Sequence, residues 1–156
     1  MEIRLNDVRV AEESRPAAIR MVLLTLRMME HWRAAAGDYN SAMILLGIVA
    51  VSSEKLTRVE LPPDLRALKD PVGDEALGQC NISSIAAATG FNRETTRRYV
   101  NRLVDEAILV RKTDGSVRLV EGFVQRKATS DLLAVQLEAF TRTANELVRL
   151  GVLECR

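Results

Sequence analysis

The sequence predicts a mostly α-helical fold carrying one small β-hairpin, and three observations lead there. Apolar residues recur at helical spacing over three long stretches, 15 to about 36, 39 to about 55 and 130 to about 150. Two short capped helices separated by a glycine turn lie between residues 81 and 106. Directly behind them, two runs of branched residues flank an Asp-Gly pair, which is a hairpin signal.

Taken in order, residues 1–9 alternate loosely between apolar and charged and fit a strand or a frayed end. A long helix begins at Arg15-Pro16, since proline is tolerated in a first turn. Ile19, Val22, Leu23, Leu26 and Met29 or Glu30 follow helical spacing, Met21, Leu24 and Met28 broaden the stripe, and Gly37-Asp38 ends it beyond Trp32. The second helix is apolar nearly all round, through Ala42, Met43, Ile44, Leu45, Leu46, Ile48 and Val49. Such a helix must be buried on most sides, in a helical core or a subunit interface. The cluster of Met21, Met28, Met29 and Trp32 also fits a pocket for a small apolar effector, although ordinary packing is the stronger reading. Residues 57–78 hold Leu61-Pro62-Pro63, Asp70-Pro71 and Val72-Gly73, a density of breakers that marks a connection with one short helix around 64–68.

Asn81 is a candidate N-cap, because its side-chain oxygen can accept an orphan backbone N–H. Ile82, Ile85 and Ala86 give the helix that follows an apolar face, and Thr89-Gly90 stops it. Asn92 caps a second helix, about 92–106, on which Thr96, Val100, Leu103 and Ala107 form one inward stripe. Arg93, Glu94, Arg97, Arg98, Asn101 and Arg102 lie off that stripe. Residues 92–104 carry four arginines and one glutamate, a net +3, whereas the whole chain is +1 and the remainder therefore −2. Positive charge is thus concentrated on one helix, which fits either a solvated face or a surface for an anionic partner. Arginine and asparagine can also bond base edges bidentately in a major groove.

Ile108-Leu109-Val110-Arg111-Lys112 is a strand candidate, Asp114-Gly115 supplies a two-residue turn, and Val117-Arg118-Leu119-Val120 returns. A hairpin behind a basic second helix is a wing, with Arg111, Lys112 and Arg118 flanking its tip within reach of phosphates or a minor groove. From Ile85-Ala86 through Thr89-Gly90-Phe91-Asn92-Arg93-Glu94-Thr95-Thr96-Arg97-Arg98 to Leu103 and Glu106-Ala107-Ile108-Leu109, the chain resembles bacterial winged helix-turn-helix transcription regulators. Helices on both sides of the module make the layout similar to the MarR type, while the second helix resembles the GntR type equally. The Asp-x-Arg wing signature of the MarR type is absent, no large C-terminal effector domain of the GntR type follows, and Ala107 stands where many members carry glycine. The resemblance covers about a quarter of the chain. It implies duplex-DNA binding with the second helix in the major groove, Arg93, Glu94, Thr95, Arg97 and Arg98 nearest the bases and Asn101 on the same face, while Arg102, Arg111, Lys112 and Arg118 hold phosphates.

After the wing, Glu121-Gly122 turns the chain and Thr129 or Ser130 caps a last helix. Its Leu133, Leu137, Phe140, Ala144 and Leu147 step by four and three residues, the seam of a two-helix packing surface. The organisation expected is an N-terminal helical region for dimerisation at 1–56, a connection at 57–78, the winged helix-turn-helix at 79–124, and a C-terminal packing or dimerisation helix at 125–156.

Composition limits the other classes. At 156 residues, 47% hydrophobic and 28% charged, the chain is of ordinary globular type. Aromatics at 4% disfavour a single-strand binder, which needs stacking platforms. Cys80 and Cys155 have no metal-ligand spacing and read as two reduced cysteines, with a redox sensor at Cys80 as the alternative. His31 is the sole histidine, and no phosphate loop or nucleophile motif occurs, so neither catalysis nor a cofactor nor a metal is expected. The apolar run at 42–51 is shorter than the roughly 20 residues a bilayer requires. A cytoplasmic homodimer acting on double-stranded DNA is the expectation. The alternative is a winged-helix protein-interaction module that does not touch DNA.

Overall fold

The computed structural model describes residues 2–155. The chain is 64% helical, with six α-helices and two two-stranded antiparallel sheets among the described residues. No single helix there is long and apolar enough to cross a membrane. Two compact units form: one joins the N-terminal residues as far as Trp32 to those from Asp131 onward, and the other is Arg33–Ser130.

In the first unit, β1 (Ile3–Leu5) pairs antiparallel with β4 (Leu153–Cys155), Arg4 lying opposite Glu154. The N-terminal strand expected from the alternation therefore forms, over three residues. It leads into α1 (Asp7–Glu12), which the sequence reading did not anticipate and which Asn6 caps by accepting Arg9 N–H at 3.1 Å. Arg9 then closes the far end of the chain: its guanidinium donates to the Leu150 carbonyl at 3.0 and 3.3 Å and pairs with Glu12 and Glu13. Two long helices supply the rest, α2 (Ser14–Ala36) and α6 (Lys127–Arg149), bridged by Arg20 and Glu146 at 3.2 Å.

The packing face of α6 differs from the expected seam. Ala139, Thr143 and Leu147 are buried, at strict four-residue spacing, whereas Leu133, Leu137 and Phe140 are 43%, 55% and 55% exposed. Leu147 is the one large apolar residue of the expected seam that turns inward. The helix also begins at Lys127, so Thr129 and Ser130 lie in its first turn rather than capping it; the Thr129 hydroxyl reaches back to the Phe123 carbonyl at 3.2 Å.

The second unit is built on α3 (Tyr39–Ser53), where Ser41, Ala42, Ile44, Leu45, Gly47 and Ile48 are all buried. Of the two readings for this apolar helix, the core is the one realised. Asp38 caps it by accepting Ser41 N–H at 2.9 Å and the Ser41 hydroxyl at 2.8 Å. It packs on α4 (Ile82–Thr89) and α5 (Arg93–Asp105). A Cβ on Gly47 would stand 2.6 Å from the Thr89 methyl, so glycine sets how closely α3 and α4 approach. Between α3 and α4 the proline-rich stretch forms 3₁₀ helices at Glu54–Arg58, Pro63–Leu65 and Asp74–Ala76 instead of one short helix at 64–68. Gly78 N–H ties its end to the Ser52 carbonyl at 2.7 Å.

Candidate nucleic-acid interface

The caps read from the sequence form as expected. Asn81 accepts Ser84 N–H at 3.0 Å while Ser84 Oγ accepts Asn81 N–H at 2.9 Å, a reciprocal capping box that starts α4. Gly90, at φ 77°, ends that helix in the left-handed region, and Asn92 accepts Thr95 N–H at 2.7 Å to start α5. Two residues, Phe91 and Asn92, separate the Gly90 cap from α5. Thr96, Val100 and Leu103 are fully buried, which fixes the rotation of α5 about its axis. Arg93, Glu94, Arg97, Arg98, Asn101 and Arg102 consequently stand on its exposed face, with Thr95 half-buried at the edge.

Ala107 corrects the expected stripe. The helix stops at Asp105, and Ala107 is exposed at φ 54°, a left-handed conformation that costs a residue with a Cβ about 1–2 kcal/mol. The chain reverses there so that Ile108 N–H can reach the Leu103 carbonyl at 2.9 Å.

The hairpin joins β2 (Leu109–Arg111) to β3 (Val117–Leu119), each shorter than the expected strand, with Val110 opposite Arg118. The expected two-residue turn is also corrected. Lys112 N–H donates to the Ser116 carbonyl at 2.8 Å, leaving Thr113, Asp114 and Gly115 as a three-residue loop with Gly115 at φ 83°. Asp114 stabilises it by accepting both the Ser116 hydroxyl and N–H, and these bonds, with one from Gln79, hold its carboxyl below the ordinary value of 3.8. Leu109 and Val117 turn inward, and alternation sends Val110, Lys112 and Arg118 to the other face.

The cations of the two elements fall into distinct environments. Arg93 makes no ion pair among the described residues, and Arg98 stacks 5.3 Å from the centre of the Tyr99 ring. Arg97 pairs with Glu94 at 2.6 Å. Arg102 is held between Asp38 and Glu106, each at 2.9 Å, and these carboxylates, Glu106 foremost, raise it further above the ordinary guanidinium value. Arg111 donates to Asn101 at 2.7 Å, joining hairpin to helix. Lys112 and Arg118 share Oδ2 of Asp74, at 3.0 and 3.4 Å. Four of the seven cations, Arg97, Arg102, Lys112 and Arg118, therefore meet four carboxylates, Glu94, Asp38, Glu106 and Asp74. All these pairs are partly or largely exposed, where an ion pair contributes roughly 0–1 kcal/mol and another anion can replace the carboxylate.

Sequence reasoning missed the acidic partners. Asp38 was legible only as a helix end, and Asp74 only as one residue of a proline-rich connection; neither has a local signal for a contact tens of residues away. Asn40 was missed too: it donates to the Tyr99 hydroxyl at 2.8 Å beside a shallow hollow lined by Gly37, Asp38, Tyr39, Asn40, Tyr99 and Arg102. None of Met21, Met28, Met29 or Trp32 lines that hollow. Cys80 is 1% exposed, and burial pushes its thiol pKa up against the lowering effect of the Ser84 hydrogen bond, conditions opposite to those of a reactive thiolate.

No protein-family profile matches the chain, and neither a curated protein nor a solved structure matches it.

Proposed function

We propose that this chain is a duplex-DNA-binding transcriptional regulator of the bacterial winged helix-turn-helix kind, acting as a homodimer. In this reading α4 and α5 are the helix-turn-helix, α5 enters the major groove, and the β2–β3 hairpin is the wing on the backbone. The observation that carries it is the division of α5. One side, Thr96, Val100 and Leu103, is fully buried, and the opposite side exposes Arg93, Arg97, Arg98 and Arg102 with a cationic hairpin directly behind. Arginine on an exposed helix of groove-compatible width supplies both phosphate attraction and bidentate base readout.

The homodimer rests on where apolar surface is left over. Of the 18 large hydrophobic residues exposed among the described residues, 13 belong to the unit containing β1, α1, most of α2 and α6. Leu133, Leu137 and Phe140, spaced for two-helix packing, are among them. Two copies joined there would present two α5 helices, as a symmetric operator requires.

A second reading, a winged-helix module for protein partners, is favoured by one observation: Arg97, Arg102, Lys112 and Arg118 already hold carboxylates of their own chain. Binding of the full chain to a random-sequence duplex and to a site selected from genomic fragments, across a range of salt concentrations, separates the two. The DNA reading expects log affinity to fall linearly with log salt. Absence of any duplex binding at low salt gives the case to the protein partner.

A further inference from the structure

We propose that Asp74 is an intramolecular stand-in for a DNA phosphate, a built-in brake on how strongly the hairpin engages the backbone; this rests on the duplex-DNA reading above. Lys112 and Arg118 share the outward face of the hairpin, because Val110, two residues before Lys112, lies directly opposite Arg118. A single carboxylate oxygen, Asp74 Oδ2, is ion-paired with both, the ammonium at 3.0 Å and the guanidinium at 3.4 Å. One anionic oxygen between an ammonium and a guanidinium is the arrangement a backbone phosphate would make with the same two side chains.

Asp74 differs from Asp38 in having no structural duty for its carboxylate. Both oxygens of Asp38 are engaged in capping α3 through Ser41. Among the described residues the Asp74 carboxylate contacts only Lys112 and Arg118, and the 3₁₀ helix that bears it uses its backbone carbonyl alone. The segment is nevertheless fixed against the hairpin. Gly78 N–H is bonded to Ser52, Gln79 donates to Asp114 at 2.8 Å, and Cys80 accepts Val117 N–H at 2.8 Å. Asp74 is thus delivered to the two cations by an anchored chain and stays within reach after it is displaced.

Phosphate contact through the hairpin then becomes an exchange of one anionic oxygen for another. Each exchange yields less than an unpaired cation would, so sequence-independent affinity is held down while base contacts made by α5 are untouched.

The test compares binding of the parent chain, Asp74→Asn, Glu75→Gln, and the triple variant Asp74→Asn/Lys112→Ala/Arg118→Ala to a random-sequence duplex at several salt concentrations. Glu75 is exposed and adjacent, so its variant makes the same charge change without touching either cation. Asp74→Asn is expected to bind roughly 3- to 30-fold more tightly than the parent, the range set by two exposed ion pairs. Its salt slope should steepen by about one unit for each cation freed to meet a phosphate. Glu75→Gln should change little, and the triple variant should lose the gain. Unchanged affinity in Asp74→Asn beside a parent that binds duplex overturns the brake and leaves the DNA reading standing. An equal gain in Glu75→Gln, or a gain that survives in the triple variant, overturns it as well, since bulk charge then explains the effect. If neither the parent nor Asp74→Asn binds duplex at any salt, the DNA reading fails and takes the brake with it. Binding by Asp74→Asn alone supports both.

Discussion

Asp38 Oδ2 meets Arg102 Nη1 at 2.9 Å while the same carboxylate caps α3 through the N–H and hydroxyl of Ser41. One side chain therefore starts the central helix of its unit and holds a cation on the exposed face of α5. Burial alone would push the Asp38 carboxyl up, but the two Ser41 hydrogen bonds and the Arg102 charge together bring it below the ordinary 3.8.

The sign of the pH dependence follows from that depression. A carboxyl whose pKa is lower in the folded chain stabilises it above the ordinary value, and that contribution is lost as pH falls through the folded value. Asp38→Asn keeps a capping oxygen and removes the charge, so at neutral pH it should be less stable than the parent. The difference should close as pH drops below about 4, because the parent's Asp38 is then protonated too. Asp114, also depressed, titrates in both chains and cancels in the comparison. Urea denaturation of the pair at several pH values measures this; a gap that widens in acid contradicts it.

Gly47→Ala should destabilise the chain. Alanine in a helix gains about 1 kcal/mol over glycine, whereas forcing an extra methyl into a packed contact costs roughly 1–3 kcal/mol. Here the clash wins, because the Thr89 methyl at 2.6 Å cannot swing away without breaking the bond from the Thr89 hydroxyl to the Ile85 carbonyl at 2.8 Å. Adding Thr89→Ser, which deletes the methyl and keeps the hydroxyl, should recover most of the loss in a denaturation experiment.

Ala107→Gly should raise stability by roughly 0.5–1 kcal/mol, since glycine removes the left-handed penalty at φ 54° at some cost in unfolded-chain entropy. The resemblance drawn from the sequence already placed glycine at this position in many regulators of the kind. A denaturation midpoint that does not move would show that the turn relaxes around alanine without strain.

What the sequence made legible was mostly local. Asn81, Gly90 and Asn92 act within three residues of themselves, so their roles could be read from neighbours alone. The burial of Thr96, Val100 and Leu103 followed from periodicity, because one face of an amphipathic helix must go inward. On α6 the same logic left the partner open: Leu147 of the expected seam is buried and Leu133, Leu137 and Phe140 are exposed, because spacing does not say which surface a seam packs against. The loop at Thr113–Gly115 gained one residue because Asp-Gly suits both a two-residue and a three-residue connection. Asp38 and Asp74 were invisible as partners, since an ion pair joining residues 64, 38 or 44 positions apart leaves no pattern in the chain.

The exposed seam gives the proposed dimer a clean test. Leu137→Glu and Phe140→Glu alter residues that are 55% exposed, so melting of an isolated copy should change little. Light scattering should nevertheless report a monomer where the parent gives a dimer. Leu147→Glu is the contrast: that side chain is 8% exposed, and burying a carboxylate there should damage the fold itself. A parent chain that is monomeric at micromolar concentration refutes the dimer.

The sharpest division is expected among the cations themselves. Arg93 and Arg97 lie one turn apart on α5 and face the same groove segment in the proposed complex, yet only Arg97 is tied to a carboxylate, Glu94 at 2.6 Å. If Arg93 bonds a guanine edge, Arg93→Ala should cost about 1–3 kcal/mol on the preferred site and much less on unrelated duplex. Arg97 must first release Glu94, which at an exposed position offsets about 0.2–1 kcal/mol of its contact. Arg97→Ala should therefore cost less than Arg93→Ala, and Glu94→Gln should tighten binding. Lys112→Ala and Arg118→Ala should weaken all sequences about equally, because a phosphate contact carries no base information. Titrating these variants with a selected site and a random duplex, each at several salt concentrations, reads out both quantities. Equal, salt-insensitive losses for Arg93→Ala and Arg118→Ala would remove the assignment of α5 to the groove and of the hairpin to the backbone.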